Sequence, residues 1–166
     1  MIKLCRVDHR LLHGQVAFSW TNAVQANCIL VASDSVVNDE MWKTTLKLGK
    51  PSGVKLVIKD IENSVKAINS GVTDKYNLLI VVQTIHDAYR LVKEVPAIKS
   101  INLGGAKKQD GYRQISKAIF VGPQDEEEIK EMLDQGIEVE IRQLASENSV
   151  PVQRFFNNHN KEGEKE

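Results

Sequence analysis

Apolar runs of strand length alternate along this chain with stretches in which apolar residues return every three or four positions. Ile2–Val7, Cys28–Ala32, Val54–Ile58 and Leu78–Val82 read as strands, followed by Ser100–Leu103, Ile115–Val121 and a half-exposed, alternating Ile137–Ile141. Between the first two, Gly14–Gln25 sets Val16, Ala17, Trp20 and Val24 at helical spacing. Asp34 is expected to cap a helix running through about Leu48, and Ile61–Ile68 predicts another, closed by Gly71. Thr84 caps Ile85–Val95 ahead of Pro96, and a last helix, Asp125–Gln135, starts acidic and ends at Gly136. Near-continuous apolar strands separated by helices predict an α/β fold, a single doubly wound, mostly parallel sheet with helices on both faces. Neither a repeat nor a linker interrupts the pattern, so residues 1–156 are expected to form one domain. Residues 157–166 are expected to form a polar, mobile tail.

Composition narrows the partners. The chain has 166 residues with 22 basic and 22 acidic side chains, a formal net charge of zero. Broad nucleic-acid binding needs excess positive charge, so that class is excluded. No stretch approaches the roughly 18 consecutive apolar residues of a membrane span, and charge at Lys3, Arg6 and Asp8 breaks any signal-like run. The expectation is a cytoplasmic protein without direct membrane insertion. Cys5 and Cys28 lie in apolar runs and read as small core residues; without a CxxC pair, neither a disulfide nor a zinc site is expected.

The chemistry gathers in one segment, Arg6-Val7-Asp8-His9-Arg10-Leu11-Leu12-His13-Gly14-Gln15-Val16, which leaves the first strand and enters the first helix. Ligands in doubly wound folds sit beyond the carboxyl ends of strands, where this loop lies. Imidazole is a competent nucleophile near neutral pH, and guanidinium stabilises the equatorial oxygens of a transferring phosphoryl group. Gly14 allows close approach of the backbone, and the helix that starts there directs free N–H groups at the loop. Asp8 could orient an imidazole or fix the loop. Ser33 and Thr84, just after two strands, either line the same mouth or cap helices. His9 and His13 are four apart but lack further metal ligands. Gly104-Gly105 lacks dinucleotide spacing, and a phosphate-binding P-loop motif is absent, so no cofactor and no metal is expected. Gln109–Gln114 reads as a solvated loop or a partner contact, and neither His86 nor His159 receives a role.

Residues 6–16 resemble the signature of the IIB subunits of the mannose/fructose/sorbose family of sugar phosphotransferase systems. The resemblance extends over about residues 2 to 145, through Trp20, Ile29–Asp34, Ser100–Gly105, Ile115–Val121 and Gly136–Glu140. It implies a protein-N(pi)-phosphohistidine–sugar phosphotransferase with His13 phosphorylated on its δ nitrogen. Arg10, Gly14, Gln15 and the backbone around them would hold the phosphoryl group, with Ser33 and Thr84 as further candidates, and Asp8 would support the loop. The implied partners are a IIA domain as donor, a IIC/IID membrane complex and a sugar, either a hexose or an amino sugar such as N-acetylgalactosamine. His9 departs from the Asp or Asn common in relatives and is auxiliary at best. Two other classes remain open at this point: a module that binds phosphate or a nucleotide reversibly, and a regulatory protein built on the same fold.

Overall fold

Two strands of the main sheet are apolar at every position, and both lie in its interior. In the computed structural model, which describes residues 1–156, these are β2 (Cys28–Ala32) and β4 (Leu78–Val82), with all ten side chains buried. They pair in parallel with one another, β2 with β3 (Lys55–Lys59) and β4 with β1 (Ile2–Asp8). On the other side of β1 lies β5 (Ser100–Gly105), then β8 (Glu138–Ile141) and the short antiparallel edge strand β9 (Val150–Pro151). The order is β3-β2-β4-β1-β5-β8-β9.

Strand alternation divides the core into two layers. Leu78, Ile80 and Val82 face one layer with α3 (Ile61–Asn69), α4 (Ile85–Glu94) and α5 (Pro123–Asp134). Leu79 and Val81 face the other, with Ala17 of α1 (Gly14–Val24) and Leu46 of α2 (Glu40–Gly49). This is the expected doubly wound architecture. The chain leaves β1 toward the α1–α2 face, while it leaves β4 toward the opposite face. The end of β1 therefore lies where connections diverge, and there the crevice opens.

Local details differ from the sequence pattern in three places. Asp34 does not cap α2: a 3-10 turn, Val36–Asn38, intervenes, and Asp39 accepts from Trp42 N at 2.9 Å. The Asp34 carboxylate instead bridges outward, accepting from Ile61 N at 2.9 Å and from Arg90 at 2.7 Å. The single strand expected at Ile115–Val121 is a hairpin, β6 (Arg113–Ser116) paired antiparallel with β7 (Ile119–Val121). One continuous strand would put Lys117 on the same face as the buried Ile115 and Ile119; turning at Lys117 leaves it exposed. Ile137–Ile141 is not the last strand, since β9 follows it. The polar tail expected at 157–166 lies outside the described residues. Cys5 and Cys28 are free and buried, and burial pushes the Cys5 thiol up to about 12. Among the described residues no helix is long and apolar enough to cross a membrane.

Candidate active site

Alternation along β1 puts Leu4, Arg6 and Asp8 on one face, away from Cys5 and Val7, which enter the α3–α5 core layer. Arg6 and Asp8 are consequently charged residues inside the sheet, with side chains 4% and 0% exposed. Buried charges persist only when paired and fully hydrogen-bonded. The Arg6 guanidinium meets that condition, donating to Asp8 Oδ2 at 3.1 Å, Asn102 Oδ1 at 2.7 Å and the carbonyls of Arg142 and Gln143 at 3.2 and 3.0 Å. Burial lowers the Arg6 pKa and Asp8 opposes the shift. Trp20 lies against Arg6, 5.2 Å from ring centre to guanidinium carbon, and donates its indole N–H to Gln143 O at 3.0 Å. Gly104 leaves the space the guanidinium fills: a Cβ there would fall 2.1 Å from Arg6 Cζ.

Asp8 spends its lone pairs on three kinds of donor. Oδ2 takes Arg6 and, at 2.9 Å, His13 Nε2; Oδ1 takes the backbone N–H of Arg10 at 3.0 Å. A carboxylate surrounded by donors has only acceptor capacity, so His13 Nε2 carries the proton in this contact. Its Nδ1 is left with the lone pair. That assignment follows from the hydrogen-bond network.

The loop between Asp8 and His13 is tightly wound. Leu11 N donates to Asp8 O at 2.8 Å, and Leu11 sits at φ 61°, with Gly14 at φ 46°. A left-handed non-glycine residue costs about 1–2 kcal/mol. Leu11 and Leu12 are both buried against α1 and α2, and burying such a side chain stabilises by about 1.5–3 kcal/mol. Two apolar anchors thus offset the strain that turns His13 back onto Asp8.

His13 is also the N-cap residue of α1, in extended conformation and without a side-chain capping bond. The first-turn N–H groups of a helix lack internal acceptors. In α2, α3, α4 and α5 an acid lies in the first turn, and Asp39, Asp60, Thr84 or Asp125 caps the end. Of these five helices, α1 alone has neither cap nor first-turn acid. Its positive end is uncompensated by the protein, beside Nδ1 of His13.

The remaining candidates divide. Arg10 is about half exposed (48%), with Nε 3.8 Å from Asp8 Oδ1, so its guanidinium can move to a new anion. Gly14 and Gln15 are exposed on the first turn of α1. Ser33 and Thr84 are occupied locally: Ser33 Oγ accepts from Val36 N at 3.3 Å, and Thr84 Oγ1 caps α4 through Asp87 N at 3.0 Å. Arg6 could be counted by sequence among the anion-binding groups of the loop, but it is a buried strut for Asp8. Asn102 received no role by sequence, although an amide between Ile101 and Leu103, just before a Gly-Gly pair, was the available signal.

Fold and site together define an α/β protein in which a loop imidazole, held by a buried carboxylate, stands at an uncapped helix N-terminus. Residues 2–166 match the family described as the sorbose subfamily IIB component of the phosphotransferase system. The fructose-specific EIIB component of Bacillus subtilis is 31% identical over 157 residues, covering 95% of this chain and 96% of that one. The mannose-specific EIIAB component of Escherichia coli is 33% identical over 147 residues, covering 89% of this chain and 46% of that one. The crystal structure of the IIBSor domain of the sorbose permease from Klebsiella pneumoniae superposes with a TM-score of 0.90 at 30% identity, over 95% of this chain and 97% of that one. This chain belongs to the sorbose-type IIB family of sugar phosphotransferase systems. It is a phosphoryl-carrier subunit and a phosphotransferase, and it works with IIA-type and IIC/IID-type partners. The reversible phosphate-binding alternative finds no support among these relatives.

Proposed function

We propose that His13 carries the phosphoryl group on Nδ1. The supporting observation is the 2.9 Å contact of His13 Nε2 with Asp8, which leaves Nδ1 as the free nucleophile at the start of α1. In the first half-reaction Nδ1 attacks the phosphorus of a phosphohistidine on the IIA partner, and that donor's N–P bond breaks. In the second, the sugar hydroxyl attacks, the Nδ1–P electron pair returns to His13, and the hydroxyl proton leaves to water. Asp8 fixes the ring and its tautomer through both steps. The first-turn N–H groups of α1, Gly14 and Gln15 among them, hold the phosphoryl oxygens with Arg10. Ser33 and Thr84, engaged as caps, stand outside this seat. Residues 1–156 form the carrier domain, acting in the cytoplasm and reaching the membrane through IIC/IID. The relatives' names carry fructose, mannose, sorbose and N-acetylgalactosamine, which leaves the acceptor at the level of a hexose or an amino sugar.

The experiment is peptide mapping after incubation with phosphoenolpyruvate, enzyme I, HPr and a IIA domain of this family. Acid-labile phosphate is expected on the peptide holding His13 and absent in His13→Ala. Label on His9 would move the nucleophile, and no label from a competent donor would overturn the assignment.

A further inference from the structure

The carbonyls that satisfy Arg6 belong to a loop with no apolar anchor. Residues 142–149 join β8 to β9, and none of them is buried; Leu144, the largest apolar one, is 36% exposed. A segment with few buried apolar contacts opens readily unless polar bonds hold it. Yet this one carries four bonds on which the site depends. Arg142 O accepts from Arg6 Nη1 and Asn102 Nδ2, both at 3.2 Å, and Gln143 O accepts from Arg6 Nη2 and Trp20 Nε1, both at 3.0 Å.

The side chain of Arg142 supplies the missing anchor. Its guanidinium turns back along its own loop, donating from Nε to Glu147 O at 2.7 Å and from Nη2 to Ala145 O. Hydrogen bonds from an ionised donor are the stronger kind, and here they tie the start of the loop to its far side. The backbone fixes only the first residue, Arg142 N donating to Leu103 O at 3.1 Å.

The same guanidinium reaches α1. Its carbon lies 5.4 Å from the Trp20 ring centre, and that of Arg6 lies at 5.2 Å, so two guanidiniums share one indole on the helix that starts after His13. Bonding two carbonyls while lying against an aromatic ring needs a planar fork, which arginine has and lysine lacks.

We propose that Arg142 is a positioning residue for phosphoryl transfer. It closes the 142–147 loop, the loop carbonyls hold Arg6, Arg6 holds Asp8, and Asp8 fixes the His13 ring. The inference rests on the reading of His13 as the phosphoryl carrier. The test compares Arg142→Met, which keeps a long apolar stem but no donors, with Arg142→Lys, which keeps the charge but not the fork. On the unphosphorylated full chain, ¹⁵N-histidine resonances report the His13 tautomer. The unsubstituted chain is expected to show Nε2 protonated and Nδ1 not, and Arg142→Met to show both tautomers. At saturating phosphorylated IIA its labelling rate is expected to fall about tenfold or more, with KM for IIA changed by less than about twofold. Arg142→Lys should fall between the two, and the same criteria apply to it if Arg142→Met does not fold. The proposal is overturned if either the tautomer or the labelling rate per folded molecule is unchanged, even at lower stability. It is overturned equally if the loss lies in KM, which would make the loop a contact for IIA. Failure of the His13 reading would appear separately, as absence of label at His13 in the unsubstituted chain, because the tautomer measurement needs no phosphorylation.

Discussion

β1 and β4 lie side by side in one sheet, yet their carboxyl ends are built differently. β4 is apolar to its last residue and passes through Gln83 to Thr84, which caps α4 with its own side chain. β1 ends in two buried charges, a left-handed leucine and a helix start with no cap. Burial at the first end packs the two core layers. At the second, Arg6, Asn102 and Trp20 hold Asp8 in place, and Asp8 holds His13. The β4 end supplies a side-chain cap to the helix that follows it; the β1 end leaves α1 without one.

Breaking the polar end should therefore remove function, while breaking the apolar end should remove only stability. Asp8→Asn leaves Arg6 buried without its counter-charge, a change worth about 3–5 kcal/mol of stability. It also loses the fixed tautomer, and phosphoryl acceptance should fall by about 10²-fold or more, read by rapid-quench labelling. Ile80→Ala in β4, 0% exposed, should cost about 2–5 kcal/mol in denaturant unfolding but leave the labelling rate per folded molecule unchanged. Gly104→Ala forces the guanidinium aside, and a loss of about 1–3 kcal/mol is expected together with slower labelling. If that variant labels at the normal rate, Arg6 is not needed to hold Asp8.

The clearest contrast comes from supplying α1 with the acid that the other four helices already have. Gln15→Glu should stabilise the fold by about 0.3–1 kcal/mol through the helix dipole, while slowing phosphoryl acceptance several-fold. Opposite signs in the two measurements would show that the empty helix end is kept for the anion.

The smallest effect concerns acid. Arg90 and then the Ile61 N–H hold the Asp34 carboxyl below its ordinary value of 3.8. A depressed carboxyl contributes stability above its unfolded pKa and loses it as pH falls through the folded one. Asp34→Asn should therefore reduce stability by less than about 1 kcal/mol at neutral pH, since the pair is exposed, and the difference should begin to shrink as pH falls to 3.8 and vanish only below the lower, folded-state pKa.

How much could be read from sequence follows from the range of the forces. β2 and β4 were legible to the residue because their apolar runs and turn residues are local. Thr84 was legible as a cap because its partner is three residues away. Asp34 was misassigned because its partners, Ile61 and Arg90, lie far along the chain. The β6–β7 turn answers to burial of Ile115 and Ile119, which a continuous apolar run conceals. In the site, the residue types of the loop pointed to phosphoryl chemistry, but the role of Arg6 depends on Asn102 and the carbonyls of Arg142 and Gln143, about a hundred residues away in the sequence. Period-two alternation, which puts Arg6 and Asp8 on one face, was the local clue.

The most direct measurement is the nitrogen to which phosphorus is bonded. In phosphorylated protein carrying ¹⁵N-histidine, coupling to phosphorus should appear at His13 Nδ1, with Nε2 still protonated against Asp8. Coupling at Nε2 would mean that the Asp8 contact is broken on phosphorylation, and Asp8 could not then be the group that sets the nucleophile.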